Sequence, residues 1–334
     1  MQKGKKMSTV TTTTLSAEMK TFYDMRLIDE ASPMLVHEQF GQKRPIPQGG
    51  GKTVNFRRFS PLAKATTALT EGVTPSGSSL SVSSISAIVA QYGDSVVQSD
   101  VLELTAVDNT ILETTKLLGR QAGLTMDTIV RNALLLGTNK SYAPKYVADT
   151  NGNLVETEVT KTADLDTSAK LTVDVVQRVV AKLRAQNAPT IGGDYVCIIH
   201  PYVAYDLMRD PEWIDAHKYA TPENLYTGEI GKMAGVRFVQ STEAKIDKGG
   251  SDNPSGLAVF HCLVIGDGAY GVTEVTGGGL QTIVKQKGSS GTADPLDQRS
   301  SVGWKGLKAA KILVDNYLVD LMCCSKFSAT ATAN

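Results

Sequence analysis

At 334 residues the chain is about twice the length of a typical domain of roughly 100 to 150 residues, which favours two domains or one elaborate one. With 41% hydrophobic residues and 30 glycines it can build a sizeable core, which excludes a disordered or fibrous chain. Thirty-four basic residues balance 34 acidic ones, which excludes packaging of nucleic acid by charge alone and a polybasic membrane attachment.

The amino terminus, MQKGKKMSTVTTTTL, starts basic with no apolar stretch behind it, so it does not read as a secretory signal, and either Met1 or Met7 can be the start. No run reaches the roughly 18 to 20 apolar residues of a membrane span, so no membrane partner is expected. Four cysteines, two of them adjacent at Cys323 and Cys324, are too few for a disulfide scaffold and fit a reducing cytosol. Charge is uneven along the chain. Residues 1–70 hold eleven Lys or Arg against five Asp or Glu, and residues 71–130 hold two against seven. Opposite blocks suit head-to-tail contact between copies, or two solvated faces of one monomer.

Phe22, Met25 and Ile28 mark a short helix that Pro33 limits. Residues 41–51, GQKRPIPQGGG, contain two prolines and four glycines and read as an extended arm. Thr53 to Phe59 alternates as a strand, and a second alternating run follows through Val82, Ile85, Ile88, Val89 and Tyr92. Between them lies a polar tip, with eleven Ser or Thr among the 21 residues of 66–86. A loop this long is expected to make its contacts outside its own chain, because an isolated two-stranded hairpin is marginal in water.

The strongest helical signal runs from Asp108, a capping residue, to Leu136, with Ile111, Leu118, Ala122, Met126, Ile129, Ala133 and Leu136 as its apolar stripe and Arg131 pointing elsewhere. Gly119 and Gly123 permit close packing or a slight bend there, and Gly137 stops the helix. Asn151-Gly152 reads as a hairpin turn, and Thr172 opens a helix with Val175, Val176, Val179, Val180 and Leu183 on one face. Tyr195 to Ile199 reads as a buried strand and Pro201 to Met208 as a helix. Strands are expected at Val236 to Gln240, Leu257 to Ile265 and Leu280 to Lys285. The stretch from Val302 to Ser325 alternates as strands returning to the first region.

Several chemical motifs almost fit. Gly49-Gly50-Gly51-Lys52-Thr53 suggests a phosphate-binding loop, but Ile46 stands where a glycine is needed and a strand pattern follows Thr53, leaving no helix terminus for an anion. Gly266-Asp267-Gly268-Ala269-Tyr270-Gly271 matches G-x-G-x-x-G after a strand, yet no helix signal or later carboxylate accompanies it, so a turn between strands is expected. His37-Glu38 begins like a zinc protease motif, with Gly41 where the second His belongs. Cys197, His200, His261 and Cys262 could approach as soft ligands, but buried structural residues are the simpler reading. No nucleophile setting is recognisable, so no catalytic residue, cofactor or metal is expected.

Taken in order, several segments resemble the major capsid proteins of tailed bacteriophages, specifically the family typified by the N-four coliphage. They are Leu69-Thr70-Glu71-Gly72-Val73-Thr74-Pro75, the stretch LGRQAGLTMDTIVRNAL over 118–134, and Cys197-Ile198-Ile199-His200-Pro201. Gly228-Glu229-Ile230, Ala234-Gly235-Val236-Arg237-Phe238, Gly268-Ala269-Tyr270-Gly271, Asp294-Pro295-Leu296-Asp297-Gln298 and Val302-Gly303-Trp304-Lys305 follow, so that the resemblance spans about residues 8–326.

The resemblance implies an α+β, Hong Kong 97-like major capsid fold. Its parts would be an amino-terminal arm over 1–52, an extended β-hairpin loop over 53–98, and a peripheral domain with a long spine helix over 99–165. An axial domain over 166–285 and carboxy-terminal strands over 286–334, returning to the peripheral domain, would complete it. Function would be assembly into the hexamers and pentamers of an icosahedral head enclosing double-stranded DNA, without catalysis. Inter-subunit contacts are expected from Lys43, Arg44, Arg57, Arg58, Thr70, Glu71, Gly72, Val73, Thr74 and Pro75. Partners would be further copies, a portal, scaffolding or decoration proteins, and DNA held weakly and without sequence preference. The place would be the virion, after synthesis in the bacterial host cytoplasm. Lys64 is the one loop lysine near the tip and no crosslinking partner is identifiable, so crosslinking is not expected. The alternatives are an encapsulin-like compartment and, from another class, a soluble α/β nucleotide-dependent enzyme using the Gly266 to Gly271 turn.

Overall fold

The computed structural model describes residues 17–45, 51–59, 62–69, 71–74, 77–105, 110–218, 230–249, 253, 256–274, 280–289 and 294–334. In chain order the elements are α1 (Ala17–Ala31), β1 (Gln42–Arg44), β2 (Thr53–Phe59), β3 (Val82–Ile88), β4 (Ala90–Ser99), α2 (Asp100–Thr105), α3 (Thr110–Leu134), β5 (Lys140–Tyr142), β6 (Lys145–Ala148) and β7 (Leu154–Thr157). There follow α4 (Val173–Ala185), β8 (Tyr195–Ile199), α5 (Pro201–Met208), α6 (Pro211–Lys218), β9 (Lys232–Met233), β10 (Val236–Gln240) and β11 (Ile246–Lys248). The chain ends with β12 (Ala258–Ile265), β13 (Tyr270–Thr273), β14 (Leu280–Lys285), β15 (Arg299–Lys308), β16 (Ala310–Ile312) and β17 (Leu318–Cys323). The fold is α+β, and it divides into two units, each discontinuous in sequence.

The first unit takes Met1–Gln39, Ala90–Val130 and Glu274–Lys308. Its sheet runs β14-β15-β4, all antiparallel, and β15 pairs with β4 over ten residues from Arg299↔Ser99 to Lys308↔Ala90. Leu27 and Ala31 of α1, Leu118, Ala122 and Met126 of α3, and Leu280, Val302 and Trp304 of the sheet form one core. The two helix glycines serve close packing: a methyl group on Gly123 would stand 2.6 Å from the Ala31 carbonyl oxygen, and one on Gly119 3.1 Å from that of Leu27. No larger residue lets the two backbones approach so closely.

The apolar stripe of α3 departs from its expected phase. Leu118, Ala122, Met126, Val130 and Leu134 are buried at steps of four, whereas Ile129 is only partly buried and Leu136 lies beyond the helix, 78% exposed. The steps of three toward Ile129 and Leu136 came from apolar residues on the neighbouring ridge. Arg131, expected outside, is buried because its guanidinium donates to the Glu243 carbonyl oxygen at 2.6 Å and to Asn132 Oδ1 at 3.1 and 3.2 Å. Asp108, the expected cap, lies outside the described residues.

The second unit takes Phe40–Val89, Arg131–Thr273 and Ala309–Asn334. Its main sheet has the order β5-β17-β12-β8-β10-β9, with β11 also on β12. β10 runs parallel to β8 and β17 parallel to β5; the remaining pairs are antiparallel. Strands β8, β12 and β17 are buried along their whole length, which is why they read as continuous apolar runs and not as alternation. The apolar face of α4 joins this core, capped by the Thr172 hydroxyl, which accepts from the Val175 N–H. The turn containing Gly152, at φ +79°, closes the β6–β7 hairpin. The alternating run from Val82 to Tyr92 is not one strand: β3 pairs with β2, and after Val89 the chain continues as β4 with a different partner, β15.

Candidate assembly surfaces and their anchoring

Two projections from the second unit share one footing. β1 pairs in parallel with β13, Gln42↔Gly271 to Arg44↔Thr273, and β16 covers the opposite edge of β13. The β2–β3 hairpin presses its inner face, Val54, Phe56 and Ala87, against the same place. Phe56 is fully buried, and a side chain on Gly271 would overlap its ring. A side chain on Gly41 would likewise overlap the buried Tyr270 ring. The two glycines therefore exist to seat two rings. Arg58 Nη1 adds a hydrogen bond to the Leu313 carbonyl oxygen at 3.4 Å.

The other face of the hairpin is open. Phe59 and Val82 stand opposite each other, as do Arg57 and Ser84, and all four are exposed, as is Ile88. Beyond the strands Leu62, Leu69, Val73 and Leu80 are exposed, Leu69 to 77%. Large apolar side chains exposed on such a ribbon make this face a candidate contact surface. Of the residues expected to make contacts, Lys43, Arg57, Glu71, Gly72, Val73 and Thr74 are exposed and Arg44 and Arg58 partly buried. Thr70 and Pro75 lie outside the described residues. Gly72 turns the chain at φ +75°. Sequence reasoning named the charges and the LTEGVTP segment but missed Leu62 and Leu80 beyond the strands, and Phe59 and Ile88, whose alternation with polar residues is the signal that they face away from the Phe56 side.

In the first unit the segment after α1 is clamped by two buried pairs. The His37 backbone N–H donates to Asp127 Oδ1 and its Nδ1 meets Asp127 Oδ2, both at 2.7 Å. Lys308 Nζ donates to Glu38 Oε2 at 2.5 Å. His37-Glu38 is thus a structural clamp and not the start of a metal motif.

The remaining motif residues also turn or hold the backbone. His200 caps α5, its Nδ1 accepting from the Tyr202 N–H, and burial holds its pKa below the ordinary value. Gly266 to Gly271 connects β12 to β13, with Gly268 at φ +67°, so a strand follows where a dinucleotide site needs a helix. Burial pushes the Cys197 thiol upward and that of Cys324 up to about 12, consistent with inert core thiols. His261 joins three strands: Nδ1 contacts both carboxylate oxygens of Asp320 at 3.0 Å and Nε2 contacts Asp247 Oδ2 at 2.9 Å. Burial lowers its pKa, but the two carboxylates outweigh this and raise it to about 9. Among the described residues no three His, Cys, Asp or Glu side chains are arranged to hold a metal ion, and no helix is long and apolar enough to cross a membrane.

A family model described as phage capsid protein matches residues 82–318. The capsid of Ralstonia phage GP4 is similar in structure, with 17% identity, 86% of this chain and 87% of that chain covered, and a TM-score of 0.64. The capsid of cyanophage P-SCSP1u gives 15% identity, coverage of 87% and 89%, and a TM-score of 0.60. The capsid of cyanophage Pam1 gives 12% identity, coverage of 98% of both chains and a TM-score of 0.58. At these identities the likeness is one of fold. No curated protein matches.

Proposed function

Because the chain belongs to the phage capsid protein family, whose model spans residues 82–318, we propose that it is the major subunit of a tailed-phage head of the N-four type with the Hong Kong 97 shell architecture. Copies form the hexamers and pentamers of an icosahedral shell around double-stranded DNA, and the work of the subunit is distributed contact without catalysis. The arm over 1–52 and the extended loop over 53–98 lie across neighbours. The peripheral part over 99–165, the axial part over 166–285 and the carboxy-terminal strands over 286–334 form the body. Synthesis takes place in the host cytoplasm, and a portal and scaffolding or decoration proteins complete the head. DNA meets a neutral subunit weakly.

The observation that supports contact through the loop is the open outer face of the β2–β3 hairpin with its exposed Phe59, Val82 and Ile88. Lys43, Arg44, Arg57 and Arg58 and the segment Thr70-Glu71-Gly72-Val73-Thr74-Pro75 carry the neighbouring contacts. Velocity sedimentation and electron microscopy of the full-length chain test the reading: particles of megadalton order are expected. Substitution of Phe59 and Ile88 by Ser should leave a folded subunit that fails to assemble. A wild-type chain that remains a small oligomer under all assembly conditions, or particles that form unchanged from the double variant, would refute the respective claims.

A further inference from the structure

The second unit contains a cleft of about 600 Å³ beside the start of α4 and the end of α5, unrelated to the arm and hairpin. This lies within the roughly 300 to 1,000 Å³ typical of small-molecule sites. One wall is aromatic. Phe327, 55% exposed, stacks on Tyr202 with ring centroids 4.6 Å apart and planes at 29°, and Tyr205 meets it edge-on at 5.2 Å. Around these rings stand Lys170, Arg209 and Lys326. Among the described residues none of these three cations has a carboxylate within 4.0 Å. Arg209 lies over the Tyr205 ring at 5.4 Å and donates one hydrogen bond to its hydroxyl, leaving other guanidinium donors open.

The two acids of the wall keep their charge but form no ion pair with those cations, and each is held by neutral donors. Asp206 Oδ2 accepts from the Ser325 hydroxyl at 2.8 Å and the Lys326 N–H at 2.7 Å. Asp210 accepts from the Val173 N–H at 2.9 Å and the Glu212 N–H at 3.1 Å. The cleft therefore offers a half-exposed flat ring bordered by unpaired cations, which complements a planar aromatic group carrying negative charge.

We propose that this cleft binds a nucleotide unit, its base stacked on Phe327 and its phosphate held by Lys170, Arg209 and Lys326. The unit is either a free mononucleotide or part of a single strand; a duplex keeps its bases stacked inside and offers only phosphate.

Fluorescence anisotropy with labelled oligo(dT) of ten residues, on the unassembled full-length chain, tests the proposal. Three phosphate-facing cations give a log–log salt slope of about −2, at roughly 0.7 per contact on a single strand, and Lys326→Gln should lower its size by about 0.7. Phe327→Leu, which retains apolar packing on Tyr202, should weaken binding about tenfold or more. Arg209→Gln serves as the second reading if the Leu variant melts early. Displacement by millimolar dTMP assigns a free nucleotide as sufficient, and retention assigns a strand. A duplex of equal length should bind no better than the Phe327→Leu chain binds oligo(dT). The proposal is overturned if the wild-type chain does not bind oligo(dT), if the folded Phe327 and Arg209 variants bind it like wild type, or if duplex competes equally.

Discussion

Raising the pH from 6 to 10 should weaken the second unit through a single side chain, His261. Both of its ring nitrogens face carboxylates, which can only accept, so the ring must donate from both and carry a charge. With Asp320 on β17, Asp247 on β11 and Lys245 beside Asp247 at 3.5 Å, one imidazolium ties three strands together. Lys140 is the register partner of Asp320 on β5. The folded pKa of about 9 lies above the unfolded value near 6.5. A raised pKa stabilises fully below the unfolded value, and that stability is lost as pH rises through the folded one. At 1.36 kcal/mol per pH unit the interval corresponds to about 3 kcal/mol, lost between about pH 6.5 and 9. Asp320 is buried with His261, whereas Asp247 is 44% exposed and its share is screened by solvent, so about 3 kcal/mol is an upper value. Urea unfolding of the unassembled chain at half-unit pH steps should show the decline, and His261→Gln should abolish it while lowering stability at pH 6. An imidazole resonance of His261 that titrates near pH 6.5 in the folded wild-type chain would refute the reasoning, whether or not the variant folds.

Gly271→Ala should destabilise by about 1 to 3 kcal/mol through overlap with Phe56, and adding Phe56→Leu should restore part of the thermal midpoint. Val130→Asp should prevent folding, since an unpaired charge at a fully buried position is worth several kcal/mol, whereas Leu136→Asp should leave soluble yield unchanged. Glu38→Gln removes the carboxylate charge that the buried Lys308 Nζ faces and should lower stability in denaturant titration by up to about 3 kcal/mol, while the paired Glu38→Leu and Lys308→Met change should lie nearer wild type.

Much of the fold was legible because local signals agreed with tertiary demands. Val236–Gln240 and Leu280–Lys285 have the expected strand bounds, and Thr172 opens α4 as its capping chemistry requires. The α3 phase misled because Ile129 and Val130 are both apolar; only packing against α1, set by Gly119 and Gly123, decides which one turns inward. Arg131 was misplaced because a carbonyl oxygen 112 residues away and the adjacent Asn132 accept its hydrogen bonds, and neither stands out in the local sequence. The break at Val89 was hidden since β3 and β4 share an alternating pattern and differ only in their partners, which lie more than 200 residues away in one case. Of the candidate surface, the charges and turn residues stand out in the sequence, whereas the open hairpin face depended on knowing that Phe56 faces Gly271.

The common footing on β13 makes the arm and the hairpin a geared pair. Tilting the hairpin base drives the Phe56 ring against Gly271, and the same strand carries β1 through its parallel register. With no side chain at Gly271, the Phe56 ring packs directly on the β13 backbone, to whose edge β1 is paired. Any shift at the hairpin base is thereby shared with β1 through one strand, β13, which both of them press against.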